Sequence, residues 1–270
     1  MRYGILSDIH ANLPALEAAV EALRREGVDR FLCTGDLVGY GPHPNECVER
    51  VAELGAACVA GNHDLIALGR LTTDRCITLA RDSLNWTREQ LRDDTRAYLA
   101  ALPERLEVEG GVVLAHGSLE DPQEYVTRPD QAEEQLALLD RLHPGARMVV
   151  LGHTHRAWAF AEGEGTLARG RAAGIPLHVR MLLNPGSVGQ SRERRVAAQV
   201  LVLDLDREQA QFQAVPYDYA RCREALLARG LPPKSCHLYP PPWRRVAGAL
   251  YRRLARIMRS VRAMPQRAGA

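Results

Sequence analysis

The sequence predicts an α/β fold in which parallel strands alternate with crossover helices. Three short strand-like runs, Tyr3–Ser7, Arg30–Thr34 and Ala57–Ala60, are separated by two helical patterns. This order of elements is typical of parallel strands joined by helices that cross one face of the sheet. Each run is followed at once by residues that can bind a metal ion. We expect these residues to gather at the carboxyl ends of the strands, where open α/β sheets bind their ligands.

The two helices between these strands have clear start and stop signals. Asn12 can cap the first helix, which is predicted to run to about Arg25 before Gly27. The second helix is predicted at Pro44–Leu54 and is closed by Gly55. Proline in the first turn fits both helices, because the first amide groups of a helix have no partner within it.

The rest of the chain contains more strand patterns than helix patterns. Residues 65–101 are polar and helical in pattern, and we expect an inserted helical cap of two or three helices beside the site. The later elements are predicted in this order: a hairpin of Arg105–Glu109 and Val112–Ala115 with a Gly110-Gly111 turn, a helix at Asp130–Leu142, a strand at Arg147–Leu151, a mostly β region over Ala157–Asp206 and a helix at Asp218–Arg229.

Composition is that of a soluble globular protein. Of the 270 residues, 46% are hydrophobic and 25% are charged, so the chain can bury a full core. No apolar run approaches the roughly 20 residues that a membrane span needs. The six cysteines are scattered without a C-x-x-C pair, and no signal peptide opens the chain. A reduced, cytoplasmic setting is therefore expected.

Five short clusters carry the chemistry. They are Asp8-Ile9-His10, Gly35-Asp36, Gly61-Asn62-His63-Asp64, His116-Gly117 and Gly152-His153-Thr154-His155. Carboxylate, carboxamide and imidazole groups together suit borderline divalent metals. Asp8 and His10 stand two residues apart and can reach one ion, while Asp36 can bridge two. Two ions about 3.5–4 Å apart can activate water and neutralise a phosphate, so the clusters predict phosphate-ester hydrolysis.

These clusters resemble the calcineurin-like metallophosphoesterase superfamily, whose pattern is D-x-H, G-D, G-N-H-D/E, H and G-H-x-H in that order. The motifs span residues 5–155, and residues 184–190 (NPGSVGQ) are similar to small bacterial members of the phosphodiesterase type. The resemblance implies a four-layer α/β/β/α sandwich with two central mixed sheets. The helical cap insertion and a C-terminal basic helix would be additions to that sandwich.

The resemblance also implies two divalent ions, with manganese or iron favoured and zinc, nickel or magnesium as alternatives. Their expected ligands are Asp8, His10, Asp36 and His155 for one ion, and Asp36, Asn62, His116 and His153 for the other. A hydroxide bridging the ions would attack phosphorus. His63 would act as general acid or as hydrogen-bond donor to the transition state. Asp64 would either pair with His63 or cap the following helix.

Substrate contacts are harder to assign from the sequence. Tyr40 and His43 lie in a Gly/Pro-rich loop after Asp36, where substrate contact and surface packing are both plausible. Asn184 is a candidate phosphate contact or a turn residue. Two segments depart from the family pattern: residues 169–180 lengthen a hairpin, and residues 191–195 (SRERR) replace a P-R-D-G stretch. The arginines of the second segment could hold phosphate or form a solvated face.

The predicted function is a metal-dependent phosphoesterase acting on phosphodiesters or nucleotides. One alternative is a phosphomonoesterase, such as a phosphoprotein phosphatase, or a dinucleoside polyphosphate hydrolase. Another is a non-catalytic binding scaffold, which the presence of every ligand and of His63 disfavours. The expected partner is a small phosphate ester, and no stable nucleic-acid complex is expected. The sequence does not indicate an oligomeric state.

The end of the chain differs from the body in charge. We predict a catalytic domain over residues 1–230, and a proline-rich linker with a basic amphipathic helix over residues 231–270. Residues 242–270 contain eight arginines and no acid, so the net charge of +2 leaves −6 for residues 1–241. The basic helix could contact this acidic body, an anionic membrane surface or another subunit.

Overall fold

The computed structural model describes residues 1–239, which form twelve strands, seven α-helices and one short 3₁₀ helix. The strands are β1 (Arg2–Leu6), β2 (Arg30–Cys33), β3 (Ala57–Cys58), β4 (Arg105–Val108), β5 (Val112–Ala115), β6 (Met148–Val150), β7 (Ala157–Ala161), β8 (Gly165–Arg169), β9 (Ala172–Pro176), β10 (Met181–Pro185), β11 (Ala198–Asp204) and β12 (Gln209–Val215). The helices are α1 (Leu13–Arg25), α2 (Pro44–Glu53), α3 (Asn62–Ala67), α4 (Thr78–Gln90), α5 (Asp93–Ala101), α6 (Pro129–Leu142) and α7 (Tyr219–Ala228), with the 3₁₀ helix at Pro233–Cys236.

The strands form two six-stranded mixed sheets. The first has the order β3-β2-β1-β11-β12-β9, in which β3, β2 and β1 are parallel and the other pairs are antiparallel. The second has the order β4-β5-β6-β10-β7-β8, with β5, β6 and β10 parallel. The predicted α/β fold with two central mixed sheets is confirmed.

Alternation along the strands divides the core into three apolar layers. On β1, Leu6 packs against the helices α1 and α2, while Ile5 faces the space between the sheets. On β5, Leu114 faces that same space and Val113 packs with the helix α6. Successive side chains of a strand point to opposite faces, so each sheet buries both of its faces. The result is helices, sheet, sheet and helix in four layers.

Most local signals in the sequence are confirmed. Asn12 caps α1, because its Oδ1 accepts a hydrogen bond from Ala15 N at 3.3 Å. The hairpin of β4 and β5 forms with its glycine turn. The predicted cap contains α3, α4 and α5, and Leu84 and Leu99 share the apolar cluster of α1 and α2. These three helices therefore extend the helical layer on the first sheet.

Three segments differ from the sequence interpretation. No strand was predicted at β12, which pairs with β11 along its whole length. Residues 169–180, which were predicted to lengthen a hairpin, pass from one sheet to the other. The strand β8 before them is an edge of the second sheet, and β9 within them is an edge of the first. The linker was predicted to begin at residue 231, yet the first compact unit runs over Met1–Leu238, and Leu231 and Cys236 are buried against α7.

The predicted basic helix lies outside the described residues. Within residues 1–239, no helix combines the length and apolar character required to cross a membrane. All six cysteines fall within this part of the chain and are free thiols.

Candidate metal centre

The five clusters predicted from the sequence meet where strands of both sheets end. Asp8 and His10 follow β1, and Asp36 follows β2. His116 follows β5, and the 152–155 loop follows β6. Because β1, β2 and β3 are parallel, and β5 and β6 are parallel, each sheet brings its clusters to one edge. All seven predicted metal ligands are at most 6% exposed.

The backbone at these strand ends is held in an unfavourable conformation. Five of the predicted ligands have positive φ: Asp8 (51°), His10 (48°), Asp36 (55°), His153 (63°) and His155 (58°). Such angles are uncommon for residues other than glycine, and each costs on the order of 1–3 kcal/mol. Strain of this kind persists only where the surrounding structure enforces it. Here it is concentrated in the residues that the sequence assigns to metal binding.

The first group of ligand atoms joins Asp8, His10 and His155. His155 Nε2 lies 3.3 Å from Asp8 Oδ1 and 3.1 Å from His10 Nε2. The Nδ1 atom of His10 donates to the carbonyl of Val38 at 3.1 Å, and that of His155 donates to the carbonyl of Gln190 at 2.7 Å. These bonds leave a lone pair on each Nε2, directed at the same point.

The second group joins Asp36, Asn62, His116 and His153. His116 Nε2 lies 3.2 Å from Asp36 Oδ2 and 3.0 Å from Asn62 Oδ1. Ligand atoms of Asp36, His116 and His153 all fall within 4.8 Å of one another. His116 Nδ1 donates to the carbonyl of Thr34 at 2.7 Å, which orients Nε2 toward Asp36 and Asn62.

Asp36 belongs to the second group and also lies beside His10 of the first. Its Oδ1 accepts from the backbone N–H of His63 at 2.7 Å. Its Oδ2 lies 3.6 Å from His10 Nε2 in one group and 3.2 Å from His116 Nε2 in the other. Among the described residues, Asp36 Oδ2 and His153 Nε2 are buried without a hydrogen-bond partner. Unpaired buried acceptors are costly, and a cation in each group would satisfy them, so these residues fit two metal ions.

The protonation of the cluster is set by burial and by Asp36. Burial lowers the pKa of His10 to about 3 and lowers the pKa of His153 and His155 well below their usual range, so these rings are neutral. Burial opposes ionisation of Asp36, yet the neighbouring charge of His116 brings its pKa well below the usual value. Burial likewise opposes the charge on His116, but Asp36 raises the pKa of His116 to about 10. A proton there occupies the place that a cation would take.

His63 lies beside Asp36. Its ring centroid is 4.8 Å from those of His10 and Tyr40, and its ligand atom falls within 4.8 Å of those of His10 and Asp36. In the part of the chain that the structure describes, its Nδ1 has no hydrogen-bond partner. Burial lowers the pKa of His63, so the ring is neutral at pH 7. A neutral ring at this place can donate a hydrogen bond to a bound phosphate ester.

Asp64 is engaged by backbone groups. Its Oδ1 accepts from the N–H groups of Leu37 and Val38 at 2.9 and 3.2 Å, and its Oδ2 accepts from Gly61 N at 2.9 Å. These bonds join the loop after β2 to the start of α3. They favour the capping interpretation of Asp64 over a catalytic pairing with His63.

The three predicted substrate contacts differ in position. Tyr40 is 3% exposed and its ring stands edge-on to His10 at 4.8 Å, so it lies at the site. His43 precedes α2, and its backbone N–H donates to the carbonyl of Ala11, the residue after His10, at 3.0 Å. Burial lowers the pKa of the His43 ring, and its contact with a substrate stays a prediction.

Asn184 shapes the loop that carries two of the histidines. Its Nδ2 donates to the carbonyl of Gly152 at 2.6 Å and to Thr154 Oγ1 at 3.1 Å, and its Oδ1 accepts from Gly186 N at 3.0 Å. Because these bonds engage both ends of its amide, the turn-forming interpretation of Asn184 is favoured over phosphate contact.

Two glycines allow the loops to approach each other. A Cβ on Gly61 would lie 2.1 Å from Asp36 Oδ1 and 2.3 Å from Asp36 N. A Cβ on Gly152 would lie 2.3 Å from Ser7 Oγ and 3.1 Å from Asp8 Oδ2. Side chains at these positions would separate strand ends that belong to different sheets or to neighbouring strands.

Sequence reasoning missed several residues at the site. Ser7 Oγ donates to Asp8 Oδ2 at 2.5 Å and accepts from Thr34 Oγ1 at 2.6 Å, which fixes the carboxylate. Both residues directly precede a ligand cluster, which is a signal that could have identified them. The ring of Tyr125 lies 4.1 Å from that of His153, with 47% of the residue exposed. Nothing near Tyr125 in the sequence indicates this contact.

Comparison with known proteins connects this geometry to a family. Residues 1–208 match the calcineurin-like phosphoesterase superfamily domain. An uncharacterized protein of Methanocaldococcus jannaschii is 30% identical over 233 residues, which cover 84% of this chain and 93% of that protein. The crystal structure of a metallophosphoesterase from Sphaerobacter thermophilus is similar with a TM-score of 0.74 and 33% identity, and the match covers 87% of this chain and 97% of that one.

A further match is local. The symmetrical bis(5'-nucleosyl)-tetraphosphatase of Psychromonas ingrahamii is 41% identical over 64 residues, which cover 23% of each chain. This likeness is confined to a segment of each protein.

Proposed function

This chain belongs to the calcineurin-like phosphoesterase superfamily, and we propose that it hydrolyses small phosphodiesters or nucleotides in a metal-dependent reaction. One observation carries the proposal. A single buried oxygen, Asp36 Oδ2, faces His10 Nε2 at 3.6 Å and His116 Nε2 at 3.2 Å, and it has no hydrogen bond within the described residues. A carboxylate placed in this way fits the bridge of a two-metal site.

The ligands would divide between two ions as the resemblance implies. Asp8, His10 and His155 with Asp36 would hold one ion, and Asn62, His116 and His153 with Asp36 would hold the other. Nitrogen and oxygen ligands of this kind suit manganese or iron, with zinc, nickel or magnesium as alternatives. Bound ions would supply Lewis acidity toward the phosphoryl oxygens and lower the pKa of a water molecule.

The side chains around the ions have their own tasks. Backbone carbonyls orient His10, His116 and His155 by accepting from their Nδ1 atoms. His63 would donate a hydrogen bond from its neutral ring to an oxygen of the phosphate as the alcohol leaves. Tyr40, in contact with the rings of both His10 and His63, would hold His63 in place.

A second candidate is hydrolysis of dinucleoside polyphosphates. It is favoured by the 64-residue match to a symmetrical bis(5'-nucleosyl)-tetraphosphatase. The same metal ligands would serve both reactions, because the phosphate that is attacked has the same chemistry. A phosphomonoesterase would also use them, and the presence of every ligand argues against a non-catalytic scaffold.

A substrate panel tests the proposal. The purified protein, loaded in turn with manganese and iron, is given bis-p-nitrophenyl phosphate, p-nitrophenyl phosphate, cyclic nucleotides and dinucleoside polyphosphates. We expect metal-dependent turnover with a preference for diesters. A clear preference for monoesters or for polyphosphates would replace the first choice. Absence of turnover on every member would reject the phosphoesterase proposal.

A further inference from the structure

The segment after Gln190 is anchored to the first group of ligands. Gln190 accepts the hydrogen bond of His155 Nδ1 at its carbonyl, and its own N–H donates to Ser187 Oγ at 2.8 Å. Ser187 Oγ in turn donates to the carbonyl of Asp8 at 2.8 Å, and Gln190 Nε2 donates to the carbonyl of Ser235 at 3.0 Å. Arg192 therefore lies two residues after Gln190, whose backbone is held against the ligand His155.

Among the residues that the structure describes, no acid pairs with the guanidinium group of Arg192. Within residues 1–239, no carboxylate oxygen lies within 4.0 Å of it, and its Nε is buried without a hydrogen-bond partner. Arg180, by contrast, contacts Asp140 at 2.6 Å and Glu162 at 2.7 Å. A partly buried arginine normally satisfies its donors, so Arg192 is prepared for an anion that is not part of this chain.

The charge of Arg192 acts on both halves of the site. Burial is the main influence on the pKa of Asp8, His153 and His155, and Arg192 adds a lowering contribution to each. It does the same for His63 and Tyr40. Charge interactions weaken with distance, so these contributions agree with a guanidinium group that reaches the site from the segment that Gln190 anchors to His155.

We propose that Arg192 binds a non-bridging oxygen of the substrate's phosphate group. This inference rests on the proposed function and names the side chain that holds its phosphate. The guanidinium fork matches the spacing of two phosphate oxygens and keeps its charge at every relevant pH. Its neighbour Arg194 is exposed and provides a matched control on the same segment.

Binding of inorganic phosphate tests the proposal directly. Titration calorimetry on the metal-loaded protein would compare the wild type with Arg192→Gln, Arg192→Lys and Arg194→Gln. We expect Arg192→Gln to weaken phosphate binding about tenfold or more, since a charge-assisted hydrogen bond is lost. Arg192→Lys should keep part of the affinity, and Arg194→Gln should bind phosphate within about twofold of the wild type. Metal content and melting temperature should be unchanged in all three.

The outcomes separate this inference from the proposed function. Unchanged phosphate affinity in Arg192→Gln would overturn the role of Arg192, even if esters are hydrolysed. Loss of metal from Arg192→Gln would also overturn it and would assign Arg192 to positioning His155. Phosphate binding that depends on Arg192, without turnover of any ester, would uphold the inference and reject the phosphoesterase proposal.

Discussion

His10 Nε2 and His155 Nε2 face each other at 3.1 Å, although the Nδ1 of each ring already donates to a backbone carbonyl. Two neutral rings held in this way direct lone pairs at one another. A shared proton would relieve the repulsion, but burial lowers the pKa of both rings. A divalent cation relieves it without a proton, which is why the pair fits metal binding better than a structural hydrogen bond.

Metal binding should depend on pH in a direction set by His116. Asp36 raises the pKa of His116 to about 10 in the metal-free protein, so the ring is protonated at pH 7–9, and a cation must displace that proton. Apparent affinity should therefore rise about tenfold per pH unit in this range. Below pH 7 the dependence should steepen, because burial raises the pKa of Asp8 to about 7. Chelator competition at several pH values measures this. Affinity that is constant from pH 7 to 9 would contradict it.

Removal of the His63 ring should reduce turnover without loss of metal. His63→Ala is expected to lower kcat by about 10²–10⁴-fold, the range for loss of a group that assists proton transfer. His63→Gln should keep more activity, because its amide can still donate a hydrogen bond. His178→Ala, at an exposed histidine, is the control. Elemental analysis accompanies the kinetics, and loss of metal from His63→Ala would instead place this residue among the ligands.

Asp64→Asn should act on stability. The backbone N–H groups of Gly61, Leu37 and Val38 donate to the two oxygens of the Asp64 carboxylate. In asparagine one of these oxygens becomes an NH₂ group, so either Gly61 N–H or the N–H groups of Leu37 and Val38 would face a donor. Buried donors left unpaired cost about 1–3 kcal/mol, so the free energy of unfolding should fall by about that amount. Urea denaturation measures it. An Asp64→Asn protein of unchanged stability and much lower kcat would favour the catalytic pairing with His63.

Gly61→Ala should disturb the carboxylate of Asp36. The added Cβ would lie 2.1 Å from Asp36 Oδ1, so Asp36 or the start of α3 must move. We expect loss of bound metal and of turnover together. Gly163→Ala is the control. Its added Cβ would meet no atom within 4 Å, but its φ of 71° makes the substitution strained, so this variant tests whether backbone strain alone causes the loss. Retention of full metal content in Gly61→Ala would show that the contact with Asp36 is not needed for metal binding.

Local order in the chain was enough to predict much of the fold and the set of ligands. The strand β1 with its cluster, and the helix α1 with its Asn12 cap, depend on neighbours a few residues away. The five clusters stand directly after strands, so their meeting point follows once parallel pairing is inferred. The positive φ angles of five ligands were not predicted, because they result from contacts between distant loops.

Features that depend on distant contacts could not be predicted. Tyr125 reaches His153 across a loop. The sequence left two interpretations of the arginines in residues 191–195, and only the fold shows that, among the described residues, Arg192 Nε is buried without a hydrogen-bond partner. The strand β12 was missed because its polar residues conceal the strand pattern, and its pairing with β11 shows that it is a strand.

The central claim is that Asp36 bridges two cations. The most direct measurement is elemental analysis with anomalous diffraction, applied to the wild-type protein, to Asp36→Asn, and to Asp93→Asn as an exposed control. The account predicts two ions per chain on either side of Asp36 in the wild type and in Asp93→Asn, with metal and turnover both lost in Asp36→Asn. Ions bound away from Asp36, or unchanged metal content and turnover in Asp36→Asn, would contradict it.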